Sequence, residues 1–343
     1  MSERNRSNPP GGSREPVLVR TGRVWFDEPC LHEEASRPVE TIYTPLGRSY
    51  RVDMVYLATP AVVLWEARAG ASYRCRGLAP SGMLSLLVSL RRASGSSYWR
   101  SPLAGFGFPC SMPGAVELVF AEGQAHFIVL IDLALLRRSL PADTFEALER
   151  AAATRLLPAS AGSVERFAGW LNRVLQETQT HPRMLQFPEA VRSLEEDLVR
   201  QLAAAIEGQP LQLVMGSRST RNRGLDRALS YLWSRNLLEV TLPSLCEAAA
   251  MSQRTLERAF QEAFDMTARD YLKIWRLHAV RRRLLAARKG EVRIADVAYS
   301  HGFYELGRFA AVYARMFGER PSETLSRHFP DLPDFLIQPL TAF

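Results

Sequence analysis

Residues Arg293 to Pro321 read RIADVAYSHGFYELGRFAAVYARMFGERP. Apolar residues fall three and four apart in two short runs, broken at Gly302-Phe303 and stopped at Phe317-Gly318. That period is helical, and a glycine at each break suits a helix end. The stretch reads as a short helix, a tight turn and a second helix that buries Phe309, Tyr313 and Phe317. Small residues on the first helix, Ala295 and Ala298, let the second cross it closely.

A second copy lies upstream. Leu245, Cys246 and Ala250 correspond to Val297, Ala298 and Gly302 at an offset of 52. Leu256, Phe260, Phe264 and Leu272 correspond to Phe309, Tyr313, Phe317 and Leu325 at an offset of 53. Matches of type at two nearly equal offsets mark a repeated helical unit, here 242–264 and 294–317. In the first copy Ser252 is placed to cap QRTLERAFQEAF. Its outward residues are Gln253, Arg254, Glu257, Arg258 and Gln261, side chains whose donors and acceptors can read base edges in a major groove. The second copy has only Tyr304, Glu305, Arg308 and Arg315 as polar outward residues; Leu306, Gly307, Ala310 and Ala311 cannot make paired hydrogen bonds to a base. Base readout is expected to lean on the first unit.

One helix is predicted between the copies, over 268–288, about 30 Å long at ~1.5 Å per residue. Tyr271, Leu272, Trp275, Leu277, Ala279, Leu284 and Leu285 are placed to contact both units. A helix of that length holds the reading helices about one DNA turn, ~34 Å, apart. Arg281, Arg282, Arg283, Arg288 and Lys289 lie on or beside it. Arg281 and Arg282 are expected at phosphate, which sets affinity without sequence preference.

Charge agrees with that partner. The chain of 343 residues has 43 Lys and Arg, 36 Asp and Glu and a net charge of +7. Between Arg221 and Pro330 stand 19 basic and 12 acidic residues, which is the whole +7. A neutral body with a basic C-terminal module points to a polyanion.

Upstream the pattern changes. From about Val17 to Leu136 the apolar runs are short, rich in Val, Leu and aromatics, and punctuated at Pro45-Leu46-Gly47, Pro80-Ser81-Gly82, Pro113-Gly114 and Glu122-Gly123. They predict an antiparallel barrel or sandwich. Its aromatics Trp65, Tyr73, Trp99, Phe106 and Phe108 are candidates to line an effector cavity, or to fill the core. From Pro141 to Ile206 the period is helical again. Val164, Phe167, Leu171 and Val174 share one face there, for the β-rich region or for a second subunit. Residues 1–16 are polar and rich in Pro and Gly, and read as a disordered tail without the apolar core of a signal peptide. No apolar run reaches the ~18 residues of a membrane span, so a cytoplasmic protein is expected, with reduced thiols at its 4 cysteines. Residues 208–224 read as a linker, and 330–343 as a C-terminal tail.

Around the second unit, Val297-Ala298, Gly302-Phe303, Glu305, Gly307, Phe309, Tyr313, Arg315, Phe317-Gly318 and Pro321-Ser322 resemble the signature of AraC/XylS-family bacterial transcription regulators. Leu245, Ser252, Arg254, Leu256, Arg258 and Phe260 resemble its first unit, and Arg276, Leu277 and Ala279 its connecting helix. Asp265 departs from the pattern, standing where the family usually has Gly. The resemblance covers Leu225 to Leu325 and implies an all-α DNA-binding domain at 225–329 with two helix–turn–helix units. It also implies an α+β multidomain chain: a cupin-like β-barrel sensor at 17–140 and a helical dimerisation segment at 141–207. The partners it implies are double-stranded DNA, RNA polymerase, a small-molecule effector and a second copy of the chain, with no membrane. Residues 105–140 are similar to ethanolamine-operon-type regulators. The expected function is an effector-responsive activator; the alternative is a ligand-independent regulator governed by protein contacts of the N-terminal domain.

An enzyme is not expected. The β-rich segment holds only His32 and His126, with no ligand spacing between them, so no metal site and no cofactor are assigned. No G-x-S-x-G stretch occurs, and the GFGF at 105–108 lacks the spacing of a phosphate loop.

Overall fold

The computed structural model describes residues 19–27, 29, 32–33, 40–47, 49–80, 82–99, 101–103, 106–112, 114–152, 155–206, 220–234, 240–264, 266–287 and 290–326. The expected tails at 1–16 and 330–343, most of the expected linker, and Asp265, Arg288 and Lys289 lie outside the described residues.

The N-terminal part begins with β1 (Arg20–Phe26), β2 (Glu40–Pro45), β3 (Val52–Ala58), β4 (Val62–Ala69), β5 (Tyr73–Ala79) and β6 (Met83–Arg91). It continues through β7 (Ser97–Tyr98), β8 (Ser101–Pro102), β9 (Phe108–Ser111), β10 (Gly114–Phe120) and β11 (Ala125–Asp132). Helices α1 (Leu133–Ser139) and α2 (Ala142–Ala152), the short β12 (Leu156–Leu157), and helices α3 (Ala161–Thr180) and α4 (Pro188–Ile206) follow. The strands pair antiparallel in two sheets, in the orders β1-β3-β4-β11-β6-β9-β12 and β2-β5-β10-β7-β8.

Alternation along β4 explains the layers. Val62 and Leu64 join Leu84, Leu86, Phe127 and Val129 in a core with Phe167 and Leu171 of α3 and Leu198 and Leu202 of α4. Val63, Trp65 and Ala67 point the other way, against Tyr43, Tyr73, Cys75, Leu118 and Phe120 of the smaller sheet. The centre of the larger sheet is buried on both faces, so β4 and β11 read as near-continuous apolar runs. The arrangement is two facing sheets backed by helices, and it leaves the expected cupin-like barrel without confirmation. Among the described residues no strand pairing joins the two sheets into a closed barrel. The smaller sheet ends in the two-residue strands β7 and β8, too short to carry a ladder round to the larger one. The apolar stripe of α3 is used within the chain: Val164, Phe167 and Leu171 are buried, and Val174 is partly buried, in the helix–sheet core.

The C-terminal part is helical: α5 (Thr220–Ser234), α6 (Leu242–Ala249), α7 (Gln253–Phe264), α8 (Ala268–Ala286), α9 (Ile294–Tyr299), α10 (Leu306–Phe317) and α11 (Pro321–Ser326). Each repeated unit has its own core. Leu245, Leu256, Phe260 and Phe264 pack with α5 and the first half of α8, through Tyr271, Leu272 and Trp275. Val297, Phe309 and Tyr313 pack with its second half, through Leu277, Val280 and Leu284. Helix α8 thus belongs to both cores. Caps set the helix starts. Thr241 and Ser244 form a reciprocal capping box on α6, Ser252 Oγ accepts from Thr255 N at 3.3 Å on α7, and Thr267 Oγ1 accepts from Asp270 N at 3.0 Å on α8. Gly224 lets α5 lie against the first turn; a Cβ there would strike the Met251 side chain and stand 3.0 Å from the Ala249 carbonyl oxygen.

The two turns solve the same backbone problem with different residues. Gly302 turns the second unit at φ 80°, whereas the equivalent Ala250 adopts φ 51° in the first. A left-handed alanine costs about 1–2 kcal/mol relative to its preferred conformations. Ala250 is exposed, so its methyl contributes no burial. Ala250→Gly should therefore stabilise the protein by about 1 kcal/mol, less the added freedom of the unfolded glycine. Chemical denaturation of the two proteins checks this; a destabilised variant would contradict it.

Candidate nucleic-acid interface

The outward face of α7 follows from its buried one. Leu256, Ala259, Phe260 and Phe264 are buried, which leaves Gln253, Arg254, Arg258 and Gln261 exposed. No ion pair holds Arg254 among the described residues. Arg258 Nε donates to Glu262 Oε1 at 2.8 Å, an exposed pair one turn along the same helix; such a pair is worth little and yields readily to a stronger acceptor. Glu257 is placed differently from its expected base-reading position. Its Oε2 accepts from Ala268 N at 2.9 Å, which pins the start of α8 to α7. A carboxylate at that end also opposes the positive pole of the helix.

On α10, Tyr313 and Phe309 are buried, and Gly307, Arg308, Ala311 and Arg315 are exposed, as are Tyr304 and Glu305 just before it. Tyr304 is 74% exposed, the largest value among the exposed large hydrophobic side chains. Between the two units lies a cleft of about 630 Å³, with Thr241 and Leu242 on one wall and Phe303, Tyr304 and Arg308 on the other. Arg269, Lys273 and Arg276 of α8 form its floor. Arg276 ties the walls together: its Nη2 donates to the Val240 carbonyl at 3.0 Å, and its Nη1 lies 3.0 Å from where a Cβ on Gly302 would stand. Sequence reading missed Arg269 and Lys273. Their signal was an i, i+4 spacing that sets both on one face of α8.

The arginine run at 281–283 does not act as a unit, because successive helical residues point about 100° apart. Arg281 is buried, 2.8 Å from Glu319 Oε1, with its guanidinium 4.6 Å from the Phe317 ring centre. Glu319 also accepts from Thr324 Oγ1 at 2.8 Å, and Tyr313 Oη donates to that hydroxyl at 2.9 Å. Arg282 stands over Trp275, 3.9 Å from Glu33 Oε2 of the β-rich part. Arg281 is thereby buried away from the phosphate position expected of it, whereas Arg282 keeps part of its side chain in solvent. Arg283 alone of the three is exposed.

The expected effector-lining set is also divided. Trp65 and Tyr73 face a cavity of about 40 Å³ between the sheets. Phe108 belongs to the helix–sheet core, 5.5 Å from the Phe167 ring, and Phe106 is 60% exposed. Trp99 packs on Phe264 of the first helix–turn–helix unit, under the Arg155 guanidinium. The true cavity lining adds His32, Thr41, Tyr43 and His126.

Both of those histidines are buried, and burial pushes each imidazole down to about 3; His126 lowers His32 further. They are neutral in the fold but titrate near 6.5 once unfolded. Their neutral burial is therefore without proton cost above about pH 6.5, and stability falls as pH drops from there toward 3. At pH 5 each should have lost about 2 kcal/mol. Denaturant midpoints at pH 7.5 and 5 test this, and His126→Phe should roughly halve the slope. A flat profile would contradict burial of the pair.

Two helix–turn–helix units on one shared helix define a class, the DNA-binding transcription regulators with a duplicated reading module. The family model for a helix-turn-helix domain matches residues 245–327. The "XylDLEGF operon transcriptional activator 2" of Pseudomonas putida is 35% identical over 107 residues, 31% of this chain and 68% of its own length. Activator 1 of the same operon is 30% identical over 135 residues, 38% of this chain and 41% of its length. The "Probable thc operon regulatory protein" of Rhodococcus erythropolis is 33% identical over 98 residues, 29% of this chain and 30% of its length. Among solved structures, a probable AraC family transcriptional regulator from Rhodopseudomonas palustris matches at 30% identity and TM-score 0.29, over 31% of this chain and 98% of that one. The chain belongs to the AraC/XylS family of DNA-binding transcription regulators. It spans less than half the length of several of these relatives. None of these relatives is named as an ethanolamine-operon regulator. No described helix is long and apolar enough to cross a membrane.

Proposed function

We propose that this chain is an effector-responsive transcription activator that reads two successive major-groove segments with α7 and α10. The observation that carries this is the sharing of α8 by both cores. Its 19 residues span about 28 Å at 1.5 Å each, close to the ~34 Å of one duplex turn. Gln253, Arg254, Arg258 and Gln261 read bases from the first unit; Tyr304, Glu305, Arg308 and Arg315 serve the second. Glu257 positions α7 against α8 and does not read bases. Arg269, Lys273 and Arg283 supply phosphate contacts, and the mostly apolar outward face of α10 leaves specificity chiefly to α7.

The N-terminal sandwich and its helices, residues 17–207, form the regulatory and dimerisation part, and 225–329 the DNA-binding part. As a homodimer, the protein holds two reading modules, and linkage raises the effective concentration of the second. RNA polymerase is the partner through which it acts. Genome-wide footprinting of bound DNA, followed by transcription from a bound promoter with purified polymerase, tests the reading. Transcript levels should rise with the protein and rise or fall again with its effector. Unchanged or reduced transcription from every bound promoter would contradict activation.

A further inference from the structure

The cavity between the sheets contains three buried polar atoms with no hydrogen-bond partner among the described residues: His32 Nε2, Thr41 Oγ1 and His126 Nδ1. Their side chains are not free to turn elsewhere. His32 is clamped between Phe26 and Tyr43, with ring centres 4.8 and 3.8 Å away, and its Nδ1 is held by Tyr50 Oη at 2.5 Å. His126 stacks on Phe120 at 3.9 Å. Leaving one such atom unpaired is costly, and a fold that aims three at one space has a polar molecule to satisfy them. The rest of the wall is uncharged and mostly apolar, with Trp65, Val116 and Leu118 beside Tyr43, Tyr73 and Ser85. Among the described residues no Lys, Arg, Asp or Glu lines it. Both imidazoles stay neutral because burial disfavours the cation. An anionic ligand would lose its hydration there and gain no counter-ion.

The position of the cavity gives it a route to DNA. His32 is followed by Glu33, whose side chain is buried as well. Glu33 Oε1 accepts from Tyr43 N at 3.1 Å and lies 3.1 Å from His278 Nδ1 of α8, with both side chains buried. Tyr43 in turn walls the cavity. One short segment thus carries a cavity group and a contact to the helix that spaces the two reading helices.

We propose that this cavity binds a small uncharged molecule bearing a hydroxyl or amide group, and that its occupancy is passed to α8 through His32, Tyr43 and Glu33. The inference rests on the effector-responsive reading above and gives its ligand a chemical class. About 40 Å³ has room for only a few heavy atoms before the walls must move.

Matched probes test it. Full-length protein is titrated with acetamide and propan-2-ol, which are neutral, and with acetate, which has nearly the shape of acetamide but is charged. Imidazole resonances of His32 and His126 are followed by NMR, and the melting midpoint is read in parallel. A neutral probe should shift both imidazoles saturably and raise the midpoint by a few degrees, and acetate should do neither. Thr41→Val, a change of little volume, should weaken the neutral probe about tenfold by removing one partner. Acetate binding as well as acetamide, or no saturable imidazole shift with either neutral probe, overturns the ligand class. Affinity for a footprinted site is measured in the same samples. A bound probe that leaves it unchanged overturns the link to α8. Loss of DNA binding without any probe contradicts the regulator reading itself and is separate from both outcomes.

Discussion

Arg281→Met should lower the unfolding free energy of the protein by about 3–5 kcal/mol, because it leaves the Glu319 carboxylate buried without its counter-ion. The loss should fall on the second helix–turn–helix unit. Glu319 accepts from Thr324, and Thr324 from the buried Tyr313 at the centre of that core. Adding Glu319→Leu should restore part of the stability, since an apolar pair of similar volume replaces a buried ion pair at little cost. Denaturation midpoints of the single and double variants decide the matter. If the single variant is as stable as the parent but has a smaller salt slope for DNA, then Arg281 is the phosphate contact that its place in the arginine run implies.

Arg254→Ala should weaken binding to the cognate site by about 1–3 kcal/mol and binding to random duplex hardly at all. Arg254 is exposed on the face of α7 opposite Leu256 and Phe260, and no described carboxylate engages it. Its fork is free to meet the paired acceptors of a guanine. Arg258 begins from its pair with Glu262, so the same substitution there should cost less. Titrations on specific and random duplexes at one fixed salt concentration compare them. Equal losses on both duplexes would reassign Arg254 to the phosphate backbone.

The reading module was legible because its signal is redundant. Phe260 and Phe264, like Tyr313 and Phe317, are large side chains at helical spacing, and the repeat states the same pattern twice. Arg281 was misjudged because charge density in a sequence carries no facing. Glu319, distant in sequence, draws the Arg281 guanidinium inward, and Glu33 lies near that of Arg282. The sandwich was hidden for a related reason. Strand lengths and turns are common to barrels and sandwiches, and the choice rests on which strands end each sheet. Aromatic residues were only a partial guide to the cavity: Trp65 and Tyr73 line it, and Trp99, Phe106 and Phe108 do not. Phe108 and Trp65 both sit on strands of the larger sheet, yet they face opposite sides of it. The polar cavity atoms of His32 and Thr41 carry no local pattern, since only the facing of two sheets brings them to His126.

The central claim is that one chain presents two reading helices to one face of the duplex, spaced by α8. Methylation-interference mapping on a footprinted site, with half-sites assigned to single chains, tests it most directly. For each chain the account predicts two clusters of interference at major-groove guanines, their centres about one helical turn, ~10 base pairs, apart on the same face. A single cluster per chain, or two on opposite faces of the duplex, would contradict it.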